Sequence, residues 1–354
     1  MPEPLFSSRI SRLFILLFLV SSLLATTSCG LFTKPRKVQV PQLLKPLADA
    51  NKALLIGEVN RLAAVSSIQG KIDIQFEDTS FAESGIVEKY RQTEGTLVLQ
   101  RPGKIYLGIQ FSFVDIAQMS SDGEHFRVAV LRGDEKYKRF VKGTNNAVYP
   151  KLDENGTKSP SSSGSSNGDQ RIERETVGAL SNLRPQHLTD ALMIQQAGDP
   201  NLVYVQSEFF QEEIDTSPQA RKNTRVVRGY YLLEEFTQPV NGEARLVRRF
   251  WFDRVKNIRL ARVQFFDSQG LLITDVSYTN ETAFGEAAKY RLPSRIEITR
   301  PHDQYKLTIA YQTPTTVGVD KQFQPEAFVL ENKGELPEVD LDERLRNRAS
   351  PSPN

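Results

Sequence analysis

Hydrophobic and polar side chains alternate with a period of two along most of the chain. Residues 68 to 76 place isoleucine and phenylalanine against polar neighbours, and residues 105 to 113 show the same alternation. Successive side chains of a β-strand point to opposite faces of a sheet, so this pattern predicts strands with one buried face. The alternation returns between residues 202 and 312. The sequence therefore predicts a mainly β protein built from meandering antiparallel strands.

The period changes to that of a helix in two places. Between residues 48 and 65, apolar side chains recur at helical spacing, with Asp49 near the start. Residues 182 to 193 contain a shorter run of the same kind, which turns after Pro185. Because this spacing gathers apolar side chains on one helix face, we predict an N-terminal amphipathic helix and a short second helix.

Segments without either period mark the turns and loops. Residues 101 to 104 and the Asp122-Gly123 pair are turn sequences between predicted strands. Residues 149 to 170 are rich in serine and glycine and cannot bury enough apolar surface to offset their ordering entropy. We predict a disordered insertion there, a folded domain over residues 48 to 331, and a flexible tail over residues 332 to 354.

The N-terminal segment has the three-part layout of a secretory signal. Arg9 and Arg12 precede an apolar core at residues 13 to 25, small residues follow, and the single cysteine, Cys29, comes next. The core is shorter than the roughly 20 residues that a membrane-spanning helix needs. The arrangement resembles a bacterial lipobox, in which the signal is cleaved before the cysteine and the sulfur receives diacylglycerol.

On this interpretation residues 1 to 28 are a lipoprotein signal peptide, Cys29 carries the lipid anchor with acyl chains such as palmitate, and residues 29 to 47 are a tether. The lipobox prefers leucine where this chain has Thr26. Two alternatives stay open: a cleavable signal followed by an incidental cysteine, and an uncleaved helix. Both alternatives also export the chain, and a lone cysteine excludes an intramolecular disulfide.

Charge and candidate chemistry narrow the function classes further. The chain has 45 basic and 43 acidic side chains, for a net charge of +2, and the two signs are interleaved. No basic stripe is formed, which argues against nucleic acid as a partner. The three histidines, at positions 125, 187 and 302, follow no metal-binding or general-base spacing. We therefore predict no catalytic residue, no metal and no cofactor, so the protein is not expected to be an enzyme.

Three motifs, in order along the chain, point to a family. Residues 95 to 104 read G-x-L-x-L-x-R-P-x-K, residues 121 to 123 read Ser-Asp-Gly, and Phe323, Pro325 and Phe328 form F-x-P-x-x-F. Together with the predicted order of helices and strands over residues 48 to 330, this arrangement resembles the lipoprotein-carrier (LolA/LolB-like) superfamily.

The resemblance implies an unclosed antiparallel half-barrel of about eleven strands, covered by the N-terminal helix and the short second helix. In that family an apolar cavity takes the acyl chains of lipoproteins on their way to the outer membrane, and some members are themselves lipid-anchored. The implied partners are the membrane, through the anchor, and lipid or lipoprotein cargo. The implied location is the cell envelope, at the outer membrane facing the periplasm.

An acyl-binding cavity needs large apolar side chains on a concave face. The sequence offers candidates on the predicted strands: Ile109, Phe111, Phe113, Phe126, Trp251, Val263 and Phe265. Ile116, Ala117 and Met119 are candidates for the protruding apolar loop of the anchored receptors. The alternative is that the strand residues only pack the core. In that case the protein would be a structural or regulatory envelope protein that docks a protein partner and carries no lipid.

Overall fold

The computed structural model describes residues 40–349, except 80–86, 90, 133–134, 136–137, 148, 150–182, 218 and 287. Cys29, the predicted signal peptide, most of the predicted tether and nearly all of the predicted insertion lie outside the described residues. The described residues from Leu43 onward form one compact unit.

Within the described residues, strands form most of the structure. They are β1 (Gln42–Leu43), β2 (Ser67–Asp78), β3 (Glu88–Lys89), β4 (Thr93–Gln100), β5 (Lys104–Phe111), β6 (Val114–Asp122), β7 (His125–Val130), β8 (Arg139–Thr144), β9 (Leu202–Ile214), β10 (Arg225–Thr237), β11 (Leu246–Asp253), β12 (Arg259–Phe266), β13 (Leu272–Phe284), β14 (Tyr290–Arg300), β15 (Tyr305–Tyr311), β16 (Gly318–Val319) and β17 (Glu338–Asp340).

These strands form one open sheet. Its order is β9-β10-β11-β12-β13-β14-β15-β2-β4-β5-β6-β7-β8-β17, and the short β3 and β16 add to the edges of β2. Neighbours run antiparallel except for β17, which runs parallel to β8. The predicted mainly β, unclosed architecture is therefore confirmed. Within the described residues, the 17 strands exceed the expected number partly because β1, β3, β16 and β17 are only two or three residues long.

Both predicted helices are present. Helix α1 (Lys52–Ala63) begins after Asn51, whose side-chain oxygen accepts a 3.0 Å hydrogen bond from the Leu54 amide. Helix α2 (Pro185–Leu192) begins at Pro185, whose missing amide proton costs nothing in the first helical turn. Each is shorter than its apolar pattern because capping residues end the hydrogen-bonded part.

The main core lies between the helices and one face of the sheet, here called the inner face. Leu55 and Val59 of α1 and Leu188 of α2 are fully buried, in one cluster with side chains of strands from both halves of the sheet. Alternation assigns neighbours on a strand to opposite faces. Phe250 and Phe252 belong to this core, whereas Trp251 packs with Tyr230 and Leu232 in a separate cluster.

The C-terminal segment differs from the flexible tail that the sequence predicts. Residues 338–340 pair with β8, and helix α3 (Leu341–Ala349) follows directly. Leu341 is 3% exposed within the main core, and Lys142 of β8 contacts Glu338 at 3.0 Å. One buried leucine and an open strand edge give this polar segment enough partners to order it.

The hairpin between β5 and β6 also departs from the predicted pattern. The pairing shifts between Ile109 and Gln110, and Ser112 and Phe113 adopt positive φ angles of 47° and 69°. The strand therefore ends at Phe111, and Phe113 does not share the face of Ile109 as the alternation predicts. The hypothesis of a protruding loop at Ile116, Ala117 and Met119 is wrong, because all three are buried in β6.

Candidate functional site

A small apolar cavity lies between the two helices and the inner face. Its volume is about 30 Å³, which is of the order of one or two water molecules. The lining comes from α1, α2 and the residues that follow each of them, and from strands β2 and β13 to β15: Leu62, Val65, Ile68, Leu192, Met193, Ile194, Tyr278, Phe284, Leu292, Pro293, Ile296 and Tyr311. The cavity carries no charged side chain, so it suits hydrocarbon.

The cavity is covered by the segment that follows α2, residues 193–198, called here the cover segment. Met193, Ile194 and Ala197 are each 6% exposed and belong to the main core. The segment has no regular secondary structure, and Gly198 has a φ of +101°. Its backbone groups therefore need partners outside a helix or a strand ladder.

Side chains from three separate elements supply those partners. Arg101, after β4, donates to the carbonyls of Val65 (2.9 Å) and Ile194 (2.6 Å). Asn60 of α1 donates to the Ala197 carbonyl at 3.0 Å and accepts from the Ala197 amide at 2.9 Å. These hydrogen bonds join the cover segment to β4 and α1, in addition to the packing of Met193, Ile194 and Ala197 in the main core.

Arg248 of β11 is the third partner of the cover segment. It donates to the carbonyls of Gln195 (3.4 Å) and Gln196 (3.0 Å). The same guanidinium binds the carboxylate of Glu235 at 2.8 and 2.7 Å, and Glu235 also accepts from the Tyr204 hydroxyl at 2.9 Å. The Glu235 side chain is 1% exposed, so the cover segment rests on a buried ion pair.

Burial shifts the pKa of several groups around α2. Desolvation raises the pKa of Asp190 to about 6. Desolvation, with help from the charge of Arg300, lowers the pKa of His187 to about 3, and this ring hydrogen-bonds the Tyr305 hydroxyl at 2.9 Å. Burial also lowers the pKa of the Arg101 guanidinium. The buried side of α2 therefore favours the uncharged forms of Asp190 and His187 over their charged forms.

The seven cavity candidates from the sequence do not come together around this cavity. Ile109, Phe126 and Val263 are buried in the main core, and Phe265 packs against that core. Phe111 packs with a separate pair of residues on β6 and β7. Phe113 is fully exposed. Trp251 lies in the cluster on the other side of the sheet, where its indole N–H donates to Gln264 at 3.0 Å.

Sequence reasoning missed the residues that matter most here. Tyr278 and Phe284 follow the alternation of β13 as clearly as Ile109 follows that of β5. Asn60 is a polar residue close to the apolar stripe of α1, which is a signal for a buried polar contact. Arg101 belongs to the motif at residues 95 to 104, although the motif does not reveal its partners.

Among the described residues, no group of three or more histidine, cysteine, aspartate or glutamate side chains could hold a metal ion. In the same part of the chain, no helix combines the length and the apolar character needed to cross a bilayer.

No protein-family model matches the sequence, and no curated protein matches it. Solved structures do match over 79% of this chain. A DUF1329 family protein from Desulfovibrio piger has 10% identity and a TM-score of 0.41 over 95% of its own chain. A LolA superfamily protein from Nitrosomonas europaea has 9% identity and a TM-score of 0.39 over 99% of its chain.

A third match is a putative outer membrane lipoprotein-sorting protein domain from Vibrio parahaemolyticus, with 12% identity and a TM-score of 0.38 over 96% of that chain. Two of these three structures are described as a LolA superfamily protein and a lipoprotein-sorting protein domain. At these TM-scores the likeness carries no argument about function, which has to come from the geometry of the site.

Proposed function

We propose that this protein is a non-enzymatic lipid-binding protein of the cell envelope, which takes an acyl chain of a lipid or lipoprotein into the space beneath the cover segment. The observation that carries the proposal is the construction of that segment. It closes an uncharged apolar interior, yet it is held by hydrogen bonds from Asn60, Arg101 and Arg248 to its backbone. In this proposal the hydrogen bonds break and re-form, and Met193, Ile194 and Ala197 leave the main core, when the segment moves.

The free energy of burying an acyl chain is comparable to that of the hydrogen bonds that hold the cover segment. Each buried methylene contributes about 0.8 kcal/mol, so ten of them contribute about 8 kcal/mol. A hydrogen bond to a charged group contributes about 1.5 to 3 kcal/mol. An entering acyl chain can therefore offset the loss of a few bonds to the cover segment. The cavity of about 30 Å³ is the closed state in this proposal, and lipid binding requires the cover segment to move.

The proposal includes the lipid anchor that the sequence indicates. With Cys29 acylated, the folded unit would stay at the membrane surface, facing the periplasm at the outer membrane. A role in transporting or localising outer-membrane lipoproteins is the form of this function that the sequence motifs favour.

The test uses the full chain, purified in detergent, and native mass spectrometry with monopalmitoylglycerol as an uncharged probe. We expect one bound probe per chain, and faster uptake by Asn60→Ala because two bonds to the cover segment are lost. Asn332→Ala is the matched control, since Asn332 makes the same pair of bonds to Leu336, at 2.8 and 2.9 Å, outside the cover segment. No binding to either the wild type or Asn60→Ala would refute the proposal.

One observation favours a second function, that of an envelope protein which docks a protein partner. The interior is nearly filled by its own side chains, including Tyr278, Phe284 and Tyr311. If that filling is permanent, Asn60→Ala lowers stability without creating any lipid uptake. The same experiment therefore separates the two functions.

A further inference from the structure

A second cleft adjoins the apolar cavity and is quite different in character. It is a half-open cleft of about 480 Å³, which is within the usual range for a small-molecule site of about 300 to 1,000 Å³. Helix α1, the start of β12, the middle of β13 and the start of β14 form its walls. Leu62, Tyr278 and Pro293 line both the cleft and the apolar cavity. These three side chains are therefore part of the wall between the two spaces.

The cleft carries more positive than negative charge. Its basic side chains are Arg61, Lys256, Arg259 and Arg291, and its acidic ones are Glu58, Asp253 and Glu281. Asp253 is bound at 2.9 Å by Arg228, which does not line the cleft. Arg228 is shared with Glu213, so Asp253 is not fully neutralised. The cleft therefore has four cations for three carboxylates, and an entering anion would meet a surplus of one positive charge.

Arg259 and Arg291 have donors to spare, whereas all three nitrogens of Arg61 donate, the third of them to the Arg291 carbonyl at 2.6 Å. Arg61 makes a bidentate pair with Glu58, at 2.7 and 2.9 Å. Glu281 receives three guanidinium groups: Arg259 at 3.1 Å, and Arg61 and Arg291 at 3.6 Å. A guanidinium has five N–H donors, and contacts of 3.6 Å are too long for hydrogen bonds.

Arg291 and Lys256 have the fewest ionic contacts of the four cations. In the part of the chain that the structure describes, the ion pair of Arg291 is the long one to Glu281, and Lys256 has no ion pair. Both side chains lie on the solvent side of the cleft, and Arg291 is 59% exposed. They are therefore free to turn toward a ligand, whereas Arg61 and Arg259 are held by Glu58.

We propose, building on the proposed lipid-binding function, that this cleft binds the phosphate headgroup of an anionic amphiphile whose acyl chain enters the apolar cavity past Leu62, Tyr278 and Pro293. A phosphate presents several acceptor oxygens, which match the spare donors of planar guanidinium groups. The polar cleft and the apolar cavity then hold the two ends of one molecule. A neutral headgroup leaves the surplus of positive charge without a partner.

The experiment measures equilibrium binding of the full chain to three probes. Monopalmitoylglycerol and 1-palmitoylglycerol 3-phosphate share the acyl chain and differ in the phosphate, and inorganic phosphate lacks the chain. Since a charge-assisted hydrogen bond contributes about 1.5 kcal/mol or more, we expect the phosphorylated lipid to bind at least about tenfold more tightly than the neutral one.

Substitutions in the cleft test which side chains produce the preference for the phosphorylated lipid. Arg291→Gln combined with Lys256→Gln is expected to remove most of this preference, measured as the ratio of the affinities for the two lipids, and Arg291→Lys should retain part of it. Arg245→Gln is the control, because Arg245 is an exposed cation outside the cleft. These substitutions change surface side chains, so folding is expected to persist and circular dichroism checks it.

The possible results distinguish the proposed headgroup site from the proposed lipid-binding function. Equal affinity for the two lipids, or a preference that survives in the double variant, overturns the headgroup site and leaves the proposed function standing. Binding of inorganic phosphate alone, lost in the double variant, supports the anion site with free phosphate as its source and refutes lipid binding. No binding of any probe overturns both proposals.

Discussion

The buried pair of Arg248 and Glu235 allows the strongest test of how the cover segment is supported. The perturbation is Arg248→Met, which keeps much of the side-chain volume and removes the charge. Glu235 is 1% exposed, and it would keep only the Tyr204 hydroxyl as a partner. Removing one member of a buried ion pair costs about 3 to 5 kcal/mol, mainly because the other charge stays buried without compensation.

The loss of the cover-segment contacts adds to this cost. Arg248 donates to the carbonyls of Gln195 and Gln196, and a hydrogen bond to a charged group contributes about 1.5 to 3 kcal/mol. We therefore expect Arg248→Met to lower the free energy of unfolding by at least about 3 kcal/mol. Arg248→Met with Glu235→Leu removes the stranded carboxylate and should recover at least about 2 kcal/mol of that loss, because well-packed apolar pairs often replace buried ion pairs at little cost.

The assay is urea unfolding of the full chain, followed by the fluorescence of Trp251, the single tryptophan. Trp251 packs outside the main core, so its environment changes on unfolding and not merely on movement of the cover segment. A lower midpoint at unchanged slope reports lost stability. If the double variant is no more stable than Arg248→Met, the carboxylate is not the source of the cost and the reasoning is refuted.

Further predictions concern the anchor, the titrating groups and the backbone. Cys29→Ser should move the protein from the membrane fraction to the soluble one or leave an uncleaved precursor; unchanged processing with membrane retention would contradict lipidation. Burial raises the pKa of Asp190 to about 6. Asp190 therefore contributes to folding stability at pH values below the ordinary carboxyl pKa, and this contribution is lost as the pH rises through about 6. His187, with a pKa lowered to about 3, acts in the opposite direction: its contribution is present above about 6.5 and is lost as pH falls. Denaturation between pH 4 and 6 should therefore show a steeper rise of stability with pH in Asp190→Asn than in the wild type, and a flatter one in His187→Gln. Gly123→Ala should lower the free energy of unfolding by at least about 1 kcal/mol, because Gly123 has a φ of +106° and a Cβ there would lie 2.9 Å from the Pro102 carbonyl oxygen. Gly57 lies on α1, where a Cβ would meet open space. Gly57→Ala should therefore raise the free energy of unfolding by about 0.5 to 1 kcal/mol, measured by thermal unfolding.

Most of the fold could be predicted from the alternation of apolar and polar side chains. The isoleucines of β2 and the leucines of β4 predict strands with one buried face, and all of them lie in the main core. The turn at Asp122-Gly123 was readable because glycine tolerates the positive φ that the structure has there. These features depend on residues close together in sequence.

The candidate site depends on distant residues and was largely missed. Arg101 bonds to a carbonyl 93 positions away, and Asn60 to one 137 positions away. Nothing local in the sequence selects a backbone carbonyl as a partner. Phe113 was misassigned for another reason, since β5 ends at Phe111 and Ser112 and Phe113 form a turn with positive φ angles. Trp251 shows that a large aromatic side chain does not by itself mark the inner face.

The position of β2 in the sheet has a consequence for how the chain reaches its final state. One edge of β2 pairs with β4, which follows soon after, whereas the other edge pairs with β15, and Gln312 bonds to Asp73 across 239 positions. During synthesis, β2 to β8 can form successive hairpins, but one edge of β2 stays open until residue 311 has emerged. Contacts of such long range slow folding, and open strand edges are where chains associate. Prematurely terminated products that end before β15 are thus expected to aggregate, and efficient maturation requires the nascent chain to be shielded until its last long strand is available.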